Sequence, residues 1–138
     1  MTYRFATEAD LDLLAEWNHQ LIEDEKADNP MTVGQLAIRL RDWLDSGDYK
    51  AAVFGIEGRD IAYALFAEYD DRIHLRQFFV DRSNRRRGYG LSALKLLRSK
   101  IWPATHQLTV DVLAHNSDAY TFWRHCGYRA TAIRMSQT

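Results

Sequence analysis

The stretch Phe78-Phe79-Val80-Asp81-Arg82-Ser83-Asn84-Arg85-Arg86-Arg87-Gly88-Tyr89-Gly90 decides the reading of this chain. An apolar β-type run leads into a turn rich in arginine. A glycine pair then opens a segment carrying Leu91, Leu94, Leu96 and Leu97, which reads as a helix. Backbone amides at a helix N-terminus have no intrahelical partner and carry the positive end of the dipole, so they favour an anion. Glycines let a ligand approach that backbone closely, and the arginines add charge. The pattern predicts a pyrophosphate site.

A second block lies downstream: Asn116-Ser117-Asp118-Ala119-Tyr120-Thr121-Phe122-Trp123-Arg124-His125-Cys126-Gly127-Tyr128. The run from Val80 to Gly90 resembles the coenzyme A motif of the GNAT acyltransferase superfamily, V-x-x-x-x-[QR]-x-x-G-x-[GA]. The second block resembles that superfamily's N-x-x-A-x-x-F-[YW]-x-x-x-G-[FY]. The two stand in the family's order, separated by one helix and one strand. They cover only the second half of the chain, and the first half matches in element order alone.

Outward from these blocks, hydrophobic periodicity sets the remaining elements. Tyr3 and Phe5 alternate as a short first strand. Leu11, Leu14, Trp17, Leu21 and Ile22 predict a helix over Glu8 to Asp24, with Thr7 as its N-cap. Thr32 and Gln35 form a capping box before a second helix carrying Leu36, Leu40, Trp43 and Leu44. Strands follow at Lys50 to Ile56 and Ile61 to Tyr69, with Glu57-Gly58-Arg59-Asp60 as a hairpin turn, then at Ile73 to Val80. The helix after the glycines runs to Ile101 before Pro103. Leu108, Val110 and Val112 alternate as a strand, and Asn116 caps a helix over Ser117 to Cys126 with Gly127 at its end. A last strand is expected from Tyr128 to Met135. The order β-α-α-β-β-β-α-β-α-β predicts an α/β fold with a mixed central sheet, the order of the GNAT acyl-CoA N-acyltransferase fold.

With 138 residues and no repeat, linker or low-complexity segment, one domain over residues 1–138 is expected. The formal net charge of -1 argues against nucleic acid as the main partner, although a clustered arginine turn is compatible with a neutral whole. A single cysteine, Cys126, excludes an intrachain disulfide, and the Cys/His spacing suits no zinc site. The N-terminus has no signal-like apolar run, and no stretch approaches a membrane span, so a cytoplasmic protein without membrane partners is expected. Nothing in the sequence chooses between a monomer and a homodimer.

The resemblance implies acetyl-CoA as donor and an amine as acceptor, on a small molecule or a protein, with no metal. It places the pyrophosphate on the amides of Arg86, Arg87, Gly88, Tyr89 and Gly90, with Arg85 at the [QR] position. The pantetheine arm is expected to pair like an added strand near Phe78 and Val80. Asn116 and Trp123, from the second block, complete the coenzyme side.

Making a neutral amine from an alkylammonium of pKa ~10.4 costs about 4–5 kcal/mol at pH 7 unless a base helps. The strand before the coenzyme turn offers His74, Arg76 and Gln77 where many family members carry Glu, and of these only His74 can act as a base near neutrality. Simple alternation places His74, Arg76, Phe78 and Val80 on one face and Gln77 on the other. Glu68, on the preceding strand, is a second candidate. Trp123 replaces the Tyr that commonly serves as acid and cannot supply a proton, which leaves Tyr120, one turn earlier, as the hydroxyl.

For the acceptor, the run Glu23-Asp24-Glu25 at the exit of the first helix is expected to attract a cationic amine. Trp17, His19, Trp43 and Tyr69 are further candidates for a pocket. A second reading of the whole is a GNAT-fold module that binds an acyl-CoA as a sensor without turnover.

Overall fold

The computed structural model describes residues 1–137. Five strands form one sheet in the order β1 (Thr2–Phe5), β2 (Lys50–Ile56), β3 (Arg59–Glu68), β4 (Arg72–Val80), β5 (Gln107–Val110). The first four pair antiparallel and β5 runs parallel to β4. The helices are α1 (Leu11–Glu25), α2 (Val33–Ser46), α3 (Tyr89–Leu96) and α4 (Ser117–His125). A π-type turn over Leu97–Ile101 extends α3.

Alternating side chains of β2 and β3 send Ala52, Phe54, Ala62, Ala64 and Phe66 to one face, with Ala93, Leu94 and Leu97 of the α3 segment and Trp123 of α4. Ala51, Val53, Tyr63 and Leu65 face the other way, against Leu14 and Trp17 of α1 and Leu40 of α2. Strands covered on both faces need apolar residues at every position, which explains their nearly unbroken burial. Trp17 stacks on Tyr63 with ring centroids 6.0 Å apart, and the Tyr63 hydroxyl donates to Gln77 Oε1 at 2.8 Å. A buried phenol with its partner beside it avoids the cost of an unmet donor.

Two local devices match the sequence expectation. Thr32 Oγ1 accepts from the Gln35 amide while Gln35 Oε1 accepts from the Thr32 amide, closing the capping box of α2. The β2–β3 hairpin turns at the expected place but on Glu57 and Gly58 alone, both at positive φ, with Arg59 and Asp60 already paired in β3. That two-residue geometry follows the right-handed strand twist.

Other elements differ from the expectation. Glu8–Asp10 forms a 3-10 turn before α1, because Asp10 Oδ2 accepts from the Thr7 amide and also takes the Arg4 guanidinium. β5 stops at Val110, before Val112. The strand expected from Tyr128 to Met135 does not form among the described residues. Its apolar alternation is short, and Ile133 and Met135 are 79% and 84% exposed. Without a core face to bury them, nothing offsets the entropy of ordering that segment.

Candidate active site

β4 and β5 pair only from Arg72↔Gln107 to Leu75↔Val110. Beyond that pair β4 continues to Val80 while the chain after Val110 leaves the sheet, so the two strands part into a wedge. At the wide end of the wedge β4 runs into the arginine-glycine turn. Asp81 anchors this turn: its amide donates to the Ile61 carbonyl at 2.7 Å, and its Oδ2 accepts from Ser83 Oγ and from Asn84 Nδ2.

Arg86 and Gly88 both adopt left-handed backbone, with φ of 62° and 78°. The first backbone bond of α3 runs from the Ser92 amide to the Gly88 carbonyl, which leaves the amides of Tyr89, Gly90 and Leu91 ahead of it as free donors. A Cβ on Gly88 would meet nothing within 4 Å, so its open side is space for a ligand. Gly90 has a different task. A Cβ there would lie 3.6 Å from Val80 Cγ2 and 3.7 Å from Phe122 Cζ, in ordinary contact, so this position faces β4 and α4, not open space.

The three arginines divide. Arg85 turns inward: its Nε donates to the Val80 carbonyl, its guanidinium reaches Asp24 Oδ2 at 2.6 Å, and it lies over the Phe79 ring. Arg86 and Arg87 are exposed and have no ion-pair partner among the described residues. Phe78 packs on Phe122 and Trp123, placing the β4 end of the wedge against α4. Trp123 is buried among Phe78, Phe122 and Tyr128. Asn116 Oδ1 accepts from the Ala119 amide and caps α4, leaving its amide nitrogen for other partners. Tyr120 is half exposed on the same helix. Burial pushes the Cys126 thiol up, so it is no ready thiolate.

The faces of β4 correct the simple alternation. The pairing of β3 shifts from Leu65↔Gln77 to Phe66↔Leu75, leaving Arg76 unpaired as a β-bulge. Ile73, Leu75, Phe78 and Val80 therefore all join the α3–α4 core, while Gln77 reaches Tyr63 on the α1–α2 face. Arg76 lies over Trp43 of α2 on that same face. His74 and Arg76 thus share a face with Gln77, opposite Phe78 and Val80.

His74 sits one pair from the vertex of the wedge. Its Nδ1 lies 2.7 Å from Thr109 Oγ1 and its Nε2 3.4 Å from Asp111 Oδ2. Glu68 stands exposed at the β3–β4 hairpin, at the opposite end of β4 from the glycine turn. Tyr69 is beside it with Arg72 over its ring, also away from the turn.

The acidic run does not act as a unit. Asp24 bridges Arg82 at 2.9 Å and Arg85 at 2.6 Å. Burial works to raise its pKa, but the hydrogen bonds and charges of Arg85 and Arg82 outweigh that and hold the carboxyl below its ordinary value. Glu23 faces His19 and Arg82. Glu25 is half-buried; burial first, then the Asp24 charge, push its carboxyl up. His115, in the segment after β5, reaches the Glu25 carbonyl at 2.6 Å and so ties that segment to the end of α1. Sequence reasoning did not single out Asp111 or His115. Both follow a strand whose end is set by its neighbour, and no local signal marks them.

The Acetyltransferase (GNAT) family matches residues 13–128, from α1 to the end of the second motif. The chain belongs to the GNAT acetyltransferase family. Among proteins with curated functions, none matches it by sequence. A possible acetyltransferase from Clostridium difficile 630 superposes with a TM-score of 0.77 at 20% identity, covering 99% of this chain and 95% of that one. An aminoglycoside 6'-N-acetyltransferase from Acinetobacter haemolyticus gives 0.75 at 14% identity, covering 100% and 99%. A predicted acetyltransferase from Clostridium acetobutylicum, solved with acetyl-CoA, gives 0.71 at 15% identity, covering 99% and 95%. At such identities the GNAT likeness of these structures is one of fold. Among the described residues, no helix is long and apolar enough to cross a membrane.

Proposed function

We propose that this GNAT protein is an acetyl-CoA-dependent N-acetyltransferase that acts by direct attack of a primary amine in a ternary complex. The observation that carries the reading is the turn at Arg86–Gly90 at the open end of the β4/β5 wedge, with the free amides of Tyr89, Gly90 and Leu91 at the start of α3. Pyrophosphate on those amides, with Arg86 and Arg87 beside it, directs the pantetheine arm along the free part of β4 toward the vertex. Hydrogen bonds to a charged group contribute about 1.5–3 kcal/mol each, so a few suffice for micromolar affinity after the cost of ordering the ligand.

At the vertex His74 takes the proton of the attacking amine, with Asp111 facing the imidazole and stabilising the imidazolium that forms. The amine nitrogen bonds to the acetyl carbon, the carbon–sulfur bond breaks, and the sulfur leaves with the electron pair. A thiol of pKa ~8.5 departs without an obligatory acid, which suits a chain whose Trp123 is packed in the core and whose Tyr120 is half exposed.

Thiol release from acetyl-CoA across a panel of amines, beside calorimetry of coenzyme binding, tests the proposal. Amine-dependent release supports it. The missing acid gives the sensor reading its footing, and tight coenzyme binding with no release for any amine would favour that reading.

A further inference from the structure

The ring of Trp43 carries two guanidiniums: Arg39 with its Cζ 4.5 Å from the centroid, and Arg76 at 4.7 Å. Arg39 lies one turn before Trp43 on α2, and Arg76 is the bulge residue of β4. Neither has a carboxylate within ion-pair distance among the described residues. The polar partner present is the Tyr49 hydroxyl, which accepts from Arg76 at 3.4 Å. Arg4 is neutralised by Asp10 and Asp60, and Arg82 and Arg85 by Asp24. Among the described residues, no carboxylate plays that part at Trp43.

One guanidinium over an aromatic face is common and covers apolar surface. Two near one ring repel each other, and a nearby anion would relieve that repulsion. Arg39 Nε is also buried without any hydrogen-bond partner. A buried N–H is nearly always met, and this one has no partner among the described residues. Burial first, then the Arg76 charge, act against the charged form of Arg39.

We infer that Arg39, Arg76 and Trp43 hold a compact anionic group, a carboxylate or a phosphate, on the amine acceptor. The identification of that ligand as the acceptor rests on the acetyltransferase reading. The bulge places Arg76 directly after the last β4–β5 pair, on the face of His74 and Gln77, so an anion held there keeps an amine a few bonds away near the vertex. The neutralised Asp24 fits the same picture, since that carboxylate is already bound and is not available to recruit a polycation. The acceptor class is then an amino acid, a short peptide or a phosphorylated amine.

The test titrates the protein loaded with coenzyme A, the thiol form, so that no acetyl is transferred. The probes are glycylglycine against its amide, O-phosphorylethanolamine against ethanolamine, and spermidine, read by heat and tryptophan fluorescence. The wild type should bind at least one anionic probe about tenfold more tightly than its neutral or cationic counterpart. Whichever probe shows the preference assigns carboxylate or phosphate. Arg39→Met and Arg76→Met should each abolish the preference and leave coenzyme affinity unchanged; if Arg39→Met does not fold, the exposed Arg76→Met decides alone. Equal binding within both pairs, no measurable binding of either anionic probe, tighter binding of spermidine, or a preference that survives Arg76→Met would overturn the inference. Selective binding with no thiol release from acetyl-CoA would leave this site standing and overturn the acetyltransferase reading instead.

Discussion

Asp24 accepts a hydrogen bond from Arg85 across 2.6 Å, and through it the last turn of α1 holds the arginine-glycine turn in place. Arg82 adds a second bond to the other oxygen at 2.9 Å. One carboxylate thus couples the last turn of α1 to the loop that would carry the coenzyme.

Asp24→Asn should weaken acetyl-CoA binding by about threefold to tenfold, roughly 0.6–1.4 kcal/mol, measured by calorimetry. Its stability cost should be below about 1 kcal/mol, because the partners are exposed. The pH dependence follows from the lowered pKa: the link is fully present above the ordinary carboxylate range and is lost as pH falls through the depressed value. Unchanged affinity in the variant would make the bridge a surface pair without consequence for the turn.

Gly88→Val should keep the fold and lose the coenzyme. The left-handed φ of 78° costs a side chain roughly 1–2 kcal/mol, while the Cβ itself points into open space. Gly90→Val is the less informative variant, since its branches would press on Val80 and Phe122. A folded Gly88→Val protein with wild-type affinity would place the coenzyme elsewhere.

His74→Ala should lower kcat by about 10²–10⁴, the usual worth of a positioned base, and leave acetyl-CoA affinity unchanged. Asp111→Asn should lower kcat by a smaller factor without affecting acetyl-CoA binding. Wild-type kcat in His74→Ala would transfer the proton step to another group.

Glu25→Gln should raise the melting temperature at neutral pH and have no effect at pH well below the carboxylate range. A carboxyl whose folded pKa is raised binds its proton more tightly when folded, so stability falls as pH rises from the unfolded value through the folded one. Gln removes that loss. A variant less stable at neutral pH would mean that the Glu25 charge is satisfied by contacts beyond those named here.

The turn at Arg85–Gly90 was legible because it is local: the glycines, the helix start and the preceding strand lie within a few residues. The capping box of α2 and the order of elements up to α4 were legible for the same reason. The faces of β4 were not. The bulge at Arg76 arises from pairing with β3, a relation between residues far apart in sequence, and it moves Arg76 and Gln77 to one face against the period-two rule. The acidic run misled similarly, since the arginines that neutralise Asp24 are some sixty positions away. Arg39 carried one readable signal, its i,i+4 spacing to Trp43, but its partner Arg76 comes from another element.

The most direct measurement follows acetyl-CoA and glycylglycine, with the other amines in parallel, by thiol release and by mass spectrometry of the amine. The account predicts one acetyl group on the amine nitrogen for each thiol released, with both signals lost in Gly88→Val. Full coenzyme affinity with no acetylated amine from any acceptor, or transfer undiminished in Gly88→Val, would contradict it.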